Sequence, residues 1–293
     1  MHVFLTGATG WVGAKVAEVL LAAGHQVSGL ARNEEKAQAF IAAGGKVVYG
    51  TLDDSQLLFD AAAKADAVIH TAFNHDFSRF AENCAQDERA ITVMGDALRG
   101  SLRPLLVTSG LARLVAGRPA TEEDAPASGP DYLRRSEQAA LALAQQGVKA
   151  ACVRLAPTVH GVGDRGFVPF LIALAKQSGV SAWQEDGSNR WAAVHRNDAA
   201  NVYRLALESG VTQTVYHAVA EEGIAMRDIA IAIGKMLGVP AEPREASHFG
   251  WFAGFAGMEM SASSEQTRRT LGWQPAGRDL LTDLHDTDYY VNS

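Results

Sequence analysis

The sequence predicts an α/β protein in which a doubly wound parallel sheet carries a small C-terminal lobe, and three observations predict it. Strand-length apolar runs alternate with helical periodicity through the first half of the chain. A glycine-rich turn joins the first predicted strand to the first predicted helix. After Pro157 the alternation breaks into glycine-rich loops, "HGVGDRGF" and "QEDGSNR", too irregular to continue the sheet.

"HVFL" reads as the first strand, and Val12, Val16, Val19, Leu20 and Ala23 then recur at helical spacing until Gly24 stops the helix. "HQVSGLAR", a helix over Glu34 to Ala43, and "KVVYG" continue the rhythm. "DAVIHTAF", a helix over roughly Ala81 to Arg99, "PLLVTSG", a helix from Pro130 and "KAACVRLA" complete six strands. Such a sheet binds ligands outside the carboxyl ends of its strands, here Gly7, His70 to Phe73, Ser109 and Ala156 to His160. "AAVHRNDAANVYRLALE" and "TVYHAVA" resume the pattern, and Glu221 to Ser293 reads as short helices and loops. Residues 1–156 with 191–219 therefore form the expected larger domain, and 157–190 with 220–293 the expected substrate lobe.

Composition narrows the partners. The net charge is −7 and the basic residues are scattered, so no face is built for nucleic acid; a small molecule is the expected partner. Cys84 and Cys152 form neither a disulfide framework nor a metal spacing, and no metal is expected. The opening "HVFLTG" has no basic leader, and no apolar run is long enough to cross a bilayer, so the expectation is a cytoplasmic protein without membrane contact.

"TGATGWVG", Thr6 to Gly13, has the context of a dinucleotide loop because a strand precedes it and a helix follows. Gly7 permits the tight turn, Gly10 lets a pyrophosphate approach the backbone, and Gly13 packs the helix close; Thr9, Trp11 and Val12 complete the loop at the helix N-terminus, where unpaired N–H groups favour anions. After the second strand, where an acidic residue would hold the ribose of NAD, stands Arg32, whose guanidinium suits a 2′-phosphate. NADP(H) is therefore expected in preference to NAD(H).

With "AFNHDFSRF", "CVRLAPTVHGVGD", "NRWAAVHRNDAA", "YHAVAEEG" and "TRRTLGWQP", the chain resembles, over nearly its whole length, the atypical and extended branch of the short-chain dehydrogenases/reductases, related to the NAD-dependent epimerase/dehydratase group. The resemblance implies a Rossmann-type fold, Leu52 and Asp53 beside the adenine, and Thr71, Ala72 and Phe73 beneath the nicotinamide ribose. It also implies that Ser109 holds the substrate oxygen and that Tyr132 supplies the proton. The family places a lysine four residues after that tyrosine, one helical turn on, to lower its pKa. Here that position is Ser136. Arg135, at i+3, offers a charge but no proton relay, because a guanidinium does not deprotonate. Matching the chain by Ser136 and Glu137 instead puts Leu133 at the tyrosine position. His75, beside Asp76 and Arg79, His160 after the sixth strand, or water are the alternative proton donors, while His195 precedes a helix that Asn197 is placed to cap.

Phe249, Trp251, Phe252, Phe255 and Met258 read either as a lid over an apolar substrate or as a lobe core, and Trp183 and Trp191 flank a loop placed near the cleft. Related enzymes pair through the helices around Asp87 to Arg99 and Tyr132 to Gln146, which implies a homodimer. The first functional expectation is an NADP(H)-dependent oxidoreductase that reduces a carbonyl, or an imine, of a small apolar compound. A non-catalytic NADP-binding sensor or partner-binding protein, and a sugar-type epimerase or dehydratase holding NAD, stand as alternatives.

Overall fold

The computed structural model describes residues 1–129, 132–286 and 289. In the first half, strands and helices alternate as β1 (His2–Thr6), α1 (Trp11–Ala22), β2 (Gln26–Ala31), α2 (Glu34–Ala42), β3 (Lys46–Tyr49), α3 (Ser55–Ala63), β4 (Ala67–His70), α4 (Phe80–Asp96), β5 (Leu105–Gly110), α5 (Ser136–Gln145) and β6 (Ala150–Leu155). There follow β7 (Thr158–His160), α6 (Phe167–Ser178), β8 (Ser181–Trp183), β9 (Arg190–His195), α7 (Arg196–Glu208), β10 (Val215–Ala218), β11 (Glu221–Ala225), α8 (Met226–Leu237) and β12 (Ala241–Pro243). Three short helices close the described chain: α9 (Ala253–Ala256), α10 (Glu265–Leu271) and α11 (Leu280–Leu284).

The main sheet has the order β10-β6-β5-β4-β1-β2-β3, and every neighbouring pair is parallel. This is the doubly wound Rossmann-type arrangement, with the order reversing between β1 and β4. Alternate residues of β1 serve opposite faces: Val3 and Leu5 pack with Val16 and Leu20 of α1 and Tyr203 of α7, while Phe4 packs with Leu58, Ile91 and Leu143 from α3, α4 and α5. Both faces are therefore covered, as a parallel sheet requires.

β9 leaves the main sheet. It pairs with β7 and β11 in a separate three-stranded sheet, and its side chains split between two cores: Ala192 and Val194 face the larger domain, Trp191 and Ala193 the lobe. The segment 191–219 is thus divided, since α7 packs against α1 and β10 edges the main sheet while β9 joins the two bodies. In the lobe, Phe249 and Phe252 pack with Phe167, Phe170 and Trp191 as core, Phe255 and Met258 flank them half-buried, and Trp251 stands exposed. Trp183 and Trp191, which flank the "QEDGSNR" loop, belong to the same core. Among the described residues no helix is long and apolar enough to cross a membrane.

Candidate cofactor cleft and reacting centre

The glycine loop is built by close approach. Gly7 has φ +76, and a Cβ there would lie 2.7 Å from Thr71 Oγ1. Gly10 is the exposed N-cap of α1 and no side chain caps it, which leaves the first-turn N–H groups available to an anion. Thr71 Oγ1 donates to Thr6 O at 2.8 Å, so the loop after β4 is tied to the end of β1. These features fit the pyrophosphate of a dinucleotide. The Trp11 side chain is engaged inside the protein: its Nε1 donates to Val159 O at 2.8 Å and the Arg196 guanidinium sits 4.0 Å above its ring.

Arg32 is exposed just past β2 and forms no hydrogen bond or ion pair with another described residue. Asn33 beside it caps α2, its Oδ1 accepting from Lys36 N at 3.0 Å. Leu52 is partly buried and Asp53 exposed, with Gln86 Nε2 donating to Asp53 at 2.6 Å.

Ser109 is the penultimate residue of β5, buried and paired with Arg154 of β6. Tyr132 is half-buried, and burial pushes its hydroxyl above the ordinary phenol value; the Arg134 charge and a hydrogen bond with Ser109 act in the opposite sense. The structure thus brings Ser109 and Tyr132 together. It corrects the position of Tyr132, however. The helix begins at Ser136, not at Pro130, which lies outside the described residues, and Tyr132 precedes it in an irregular segment with its N–H bonded to Gly129 O. Arg135 is exposed at the N-cap, so the charge near Tyr132 comes from Arg134 instead.

Arg134 is one end of a buried polar chain that sequence reasoning missed. Its Nε donates to Ser136 Oγ at 3.0 Å, Ser136 Oγ donates to Asp87 Oδ2 at 2.5 Å, and His70 Nε2 donates to Asp87 Oδ1 at 2.9 Å. His70 Nδ1 is 2.7 Å from Thr6 Oγ1, which itself accepts from Ala72 N at 3.4 Å. The signal was present: Asp87 interrupts the buried stripe Cys84, Ile91 and Met94 on one face of α4.

The alternative donors separate. His75 keeps an exposed face while Phe73 packs on it at 5.5 Å; loss of water there, and then the Arg134 charge, lowers its pKa below the usual imidazole value. His160 is fully buried, its Nδ1 2.6 Å from Asp283, and joins β7 to α11 instead of lining a cavity. His195 is itself the cap of α7, accepting from Asn197 N at 3.3 Å, the reverse of the expected arrangement. Among the described residues no His, Cys, Asp and Glu cluster could hold a metal.

The family model described as "NAD dependent epimerase/dehydratase family" matches residues 3–219. An uncharacterized protein of Schizosaccharomyces pombe is 45% identical over 99% of this chain and 100% of its own length. A 4-hydroxy-2-methyl-3-oxo-4-farnesyl-3,4-dihydroquinoline-1-oxide ketoreductase of Stigmatella aurantiaca is 26% identical over 95% of this chain and 92% of its own. The solved structure of the dTDP-glucose 4,6-dehydratase DesIV from Streptomyces venezuelae, with NAD and TYD bound, superposes with a TM-score of 0.77 at 19% identity, covering 99% of this chain and 96% of that one.

Proposed function

The chain belongs to the NAD dependent epimerase/dehydratase family, and from that premise we propose that it is an NADP(H)-dependent oxidoreductase reducing a carbonyl, or an imine, of a small apolar compound. The observation that carries the reading is the glycine loop opening on the uncapped N-terminus of α1, with Ser109 at the carboxyl end of β5 and Tyr132 near it. A reduced nicotinamide supplies the hydride when bound. The chain's own residues do the rest. The glycine loop holds the pyrophosphate, Arg32 the 2′-phosphate, Leu52 and Asp53 border the adenine, and Thr71, Ala72 and Phe73 form the floor under the ribose. Ser109 orients the substrate oxygen, and Tyr132, kept protonated by burial, is in the right state to give that oxygen a proton. The name of the Stigmatella aurantiaca ketoreductase is consistent with this direction of reaction. A homodimer through α4 and α5, where Tyr132, Glu88, Thr92 and Arg135 line a groove of about 530 Å³, is part of the same proposal.

Loss of NADPH absorbance against a panel of ketones, aldehydes and imines tests the reading, run for the parent, Tyr132→Phe and Ser109→Ala. Turnover abolished by Tyr132→Phe, with NADPH binding retained, supports it. A second reading, a cofactor-binding sensor, is favoured by one observation, the serine at position 136 in place of lysine. Tight NADPH binding with no turnover across the panel would select it.

A further inference from the structure

We propose that Arg134 is the positioning cation of this reacting centre, its guanidinium fixed between the Tyr132 segment, the end of β5 and the Phe73 loop by a hydrogen-bonded chain through Ser136, Asp87, His70 and Thr6. The proposal rests on the reductase reading above and names the residue that does there what a lysine would do.

Three contacts hold the guanidinium. Nη2 donates to Thr108 O at 3.1 Å, next to Ser109; Nε donates to Ser136 Oγ at 3.0 Å; and the Phe73 ring lies 4.5 Å from Cζ. One cation therefore bridges the strand that carries Ser109 and the loop assigned to the floor of the cofactor cleft. Ser136 Oγ accepts from the guanidinium, so its own O–H donates to Asp87 Oδ2, and His70 Nε2–H donates to Asp87 Oδ1, with its Nδ1 2.7 Å from Thr6 Oγ1. Ser136, His70 and Asp87 have almost no solvent exposure, so the carboxylate acts on Arg134 with little screening.

The displacement of the charge along the sequence has a geometric cause. On a helix, side chains one turn apart meet, which favours a cation at i+4. Tyr132 to Arg135 are not helical, so that spacing does not apply, and the guanidinium that acts on Tyr132 belongs to Arg134, two residues on. A guanidinium stays charged throughout, so Arg134 acts by charge and position and relays no proton. When the Tyr132 hydroxyl gives its proton to the substrate oxygen, the phenolate left behind faces Arg134, with Glu137, Cys152 and Ser109 the other groups around it. The same charge opposes a proton on His75. Arg134 thereby selects Tyr132 over His75 as the donor.

The test reads His75 by NMR of histidine-labelled full-length protein, its signal assigned by loss in His75→Gln. In Arg134→Gln the His75 midpoint is expected to rise by about half a pH unit or more, and in Arg134→Lys to stay near the parent value. Ser136→Ala, which cuts the tether and keeps the charge, is expected to move it the same way by less. An unmoved midpoint in Arg134→Gln overturns the proposal. On a substrate found by the panel, Arg134→Gln should lower kcat about tenfold and move the alkaline limb of the pH profile upward, with Arg134→Lys restoring both. A limb that stays in place overturns the assignment to Tyr132. If the parent reduces nothing, the reductase reading fails, while the histidine titration still decides where the charge acts.

Discussion

Gly13 packs on Gly7 so closely that a Cβ at Gly13 would stand 2.1 Å from Gly7 O. At Gly10 the same addition meets only Gly7 O, at 3.2 Å. The two positions should therefore fail differently. Gly13→Ala is expected to push α1 off the loop and lower both stability and NADPH affinity. Gly10→Ala is expected to leave the melting temperature of the free protein near that of the parent and to abolish the rise that saturating NADPH produces. Thermal melting with and without NADPH checks both.

That contrast bears on what the sequence could reveal. Gly7 and Gly13 were legible because positive φ and backbone contact leave glycine as the one residue that fits, and the place of Ser109 at the end of β5 because the apolar run "PLLV" marks that strand. The start of α5 was not legible. Pro130 marks a local helix start, yet Ser136 bonds to Asp87 and Arg134 to Thr108 O, contacts from α4 and β5 that no local propensity encodes. Arg134 was hidden for the same reason, since the i+4 spacing is set aside only once the segment is known to be non-helical.

Arg32 should govern the choice of cofactor. Its guanidinium is exposed and forms no hydrogen bond or ion pair with another described residue, so removing it disturbs no described internal bond. A charge-assisted hydrogen bond to a phosphate is worth about 1.5–3 kcal/mol. Arg32→Ala is expected to weaken NADPH binding about 10- to 100-fold and to leave NADH binding unchanged, measured by fluorescence titration. Equal losses for both cofactors would place the 2′-phosphate elsewhere.

Glu137 and Arg154 form a buried bidentate pair, Oε1 to Nη2 at 2.6 Å and Oε2 to Nε at 2.9 Å, while Arg154 also donates to the carbonyls of Thr121 and Asp124. Leaving either charge alone inside costs about 3–5 kcal/mol. Glu137→Ala is expected to lose that much in urea unfolding. The double variant Glu137→Leu with Arg154→Met should recover part of it, because the stranded charge is gone even though the two carbonyls and His217 Nε2 lose their donor.

His217 sets a stability window in pH. Its Nδ1 lies 2.7 Å from Ser263 O, so it carries the proton, and its Nε2, 3.2 Å from Arg154 Nη1, must accept; a second proton would face the guanidinium. Burial first lowers its pKa to about 4, with Arg154 acting in the same sense against the opposing pull of Glu122. An unfolded imidazole takes its proton near pH ~6.5, so between those values the unfolded chain binds more protons than the folded one. Stability is then full above about pH 6.5 and falls as the pH drops towards 4, by a few kcal/mol at about 1.4 per unit, before this contribution levels off. His217→Gln keeps a donor and an acceptor but cannot titrate. Its urea midpoint should start lower than the parent's at neutral pH and decline less steeply through that range; parallel declines in the two proteins would assign the acid sensitivity to other groups.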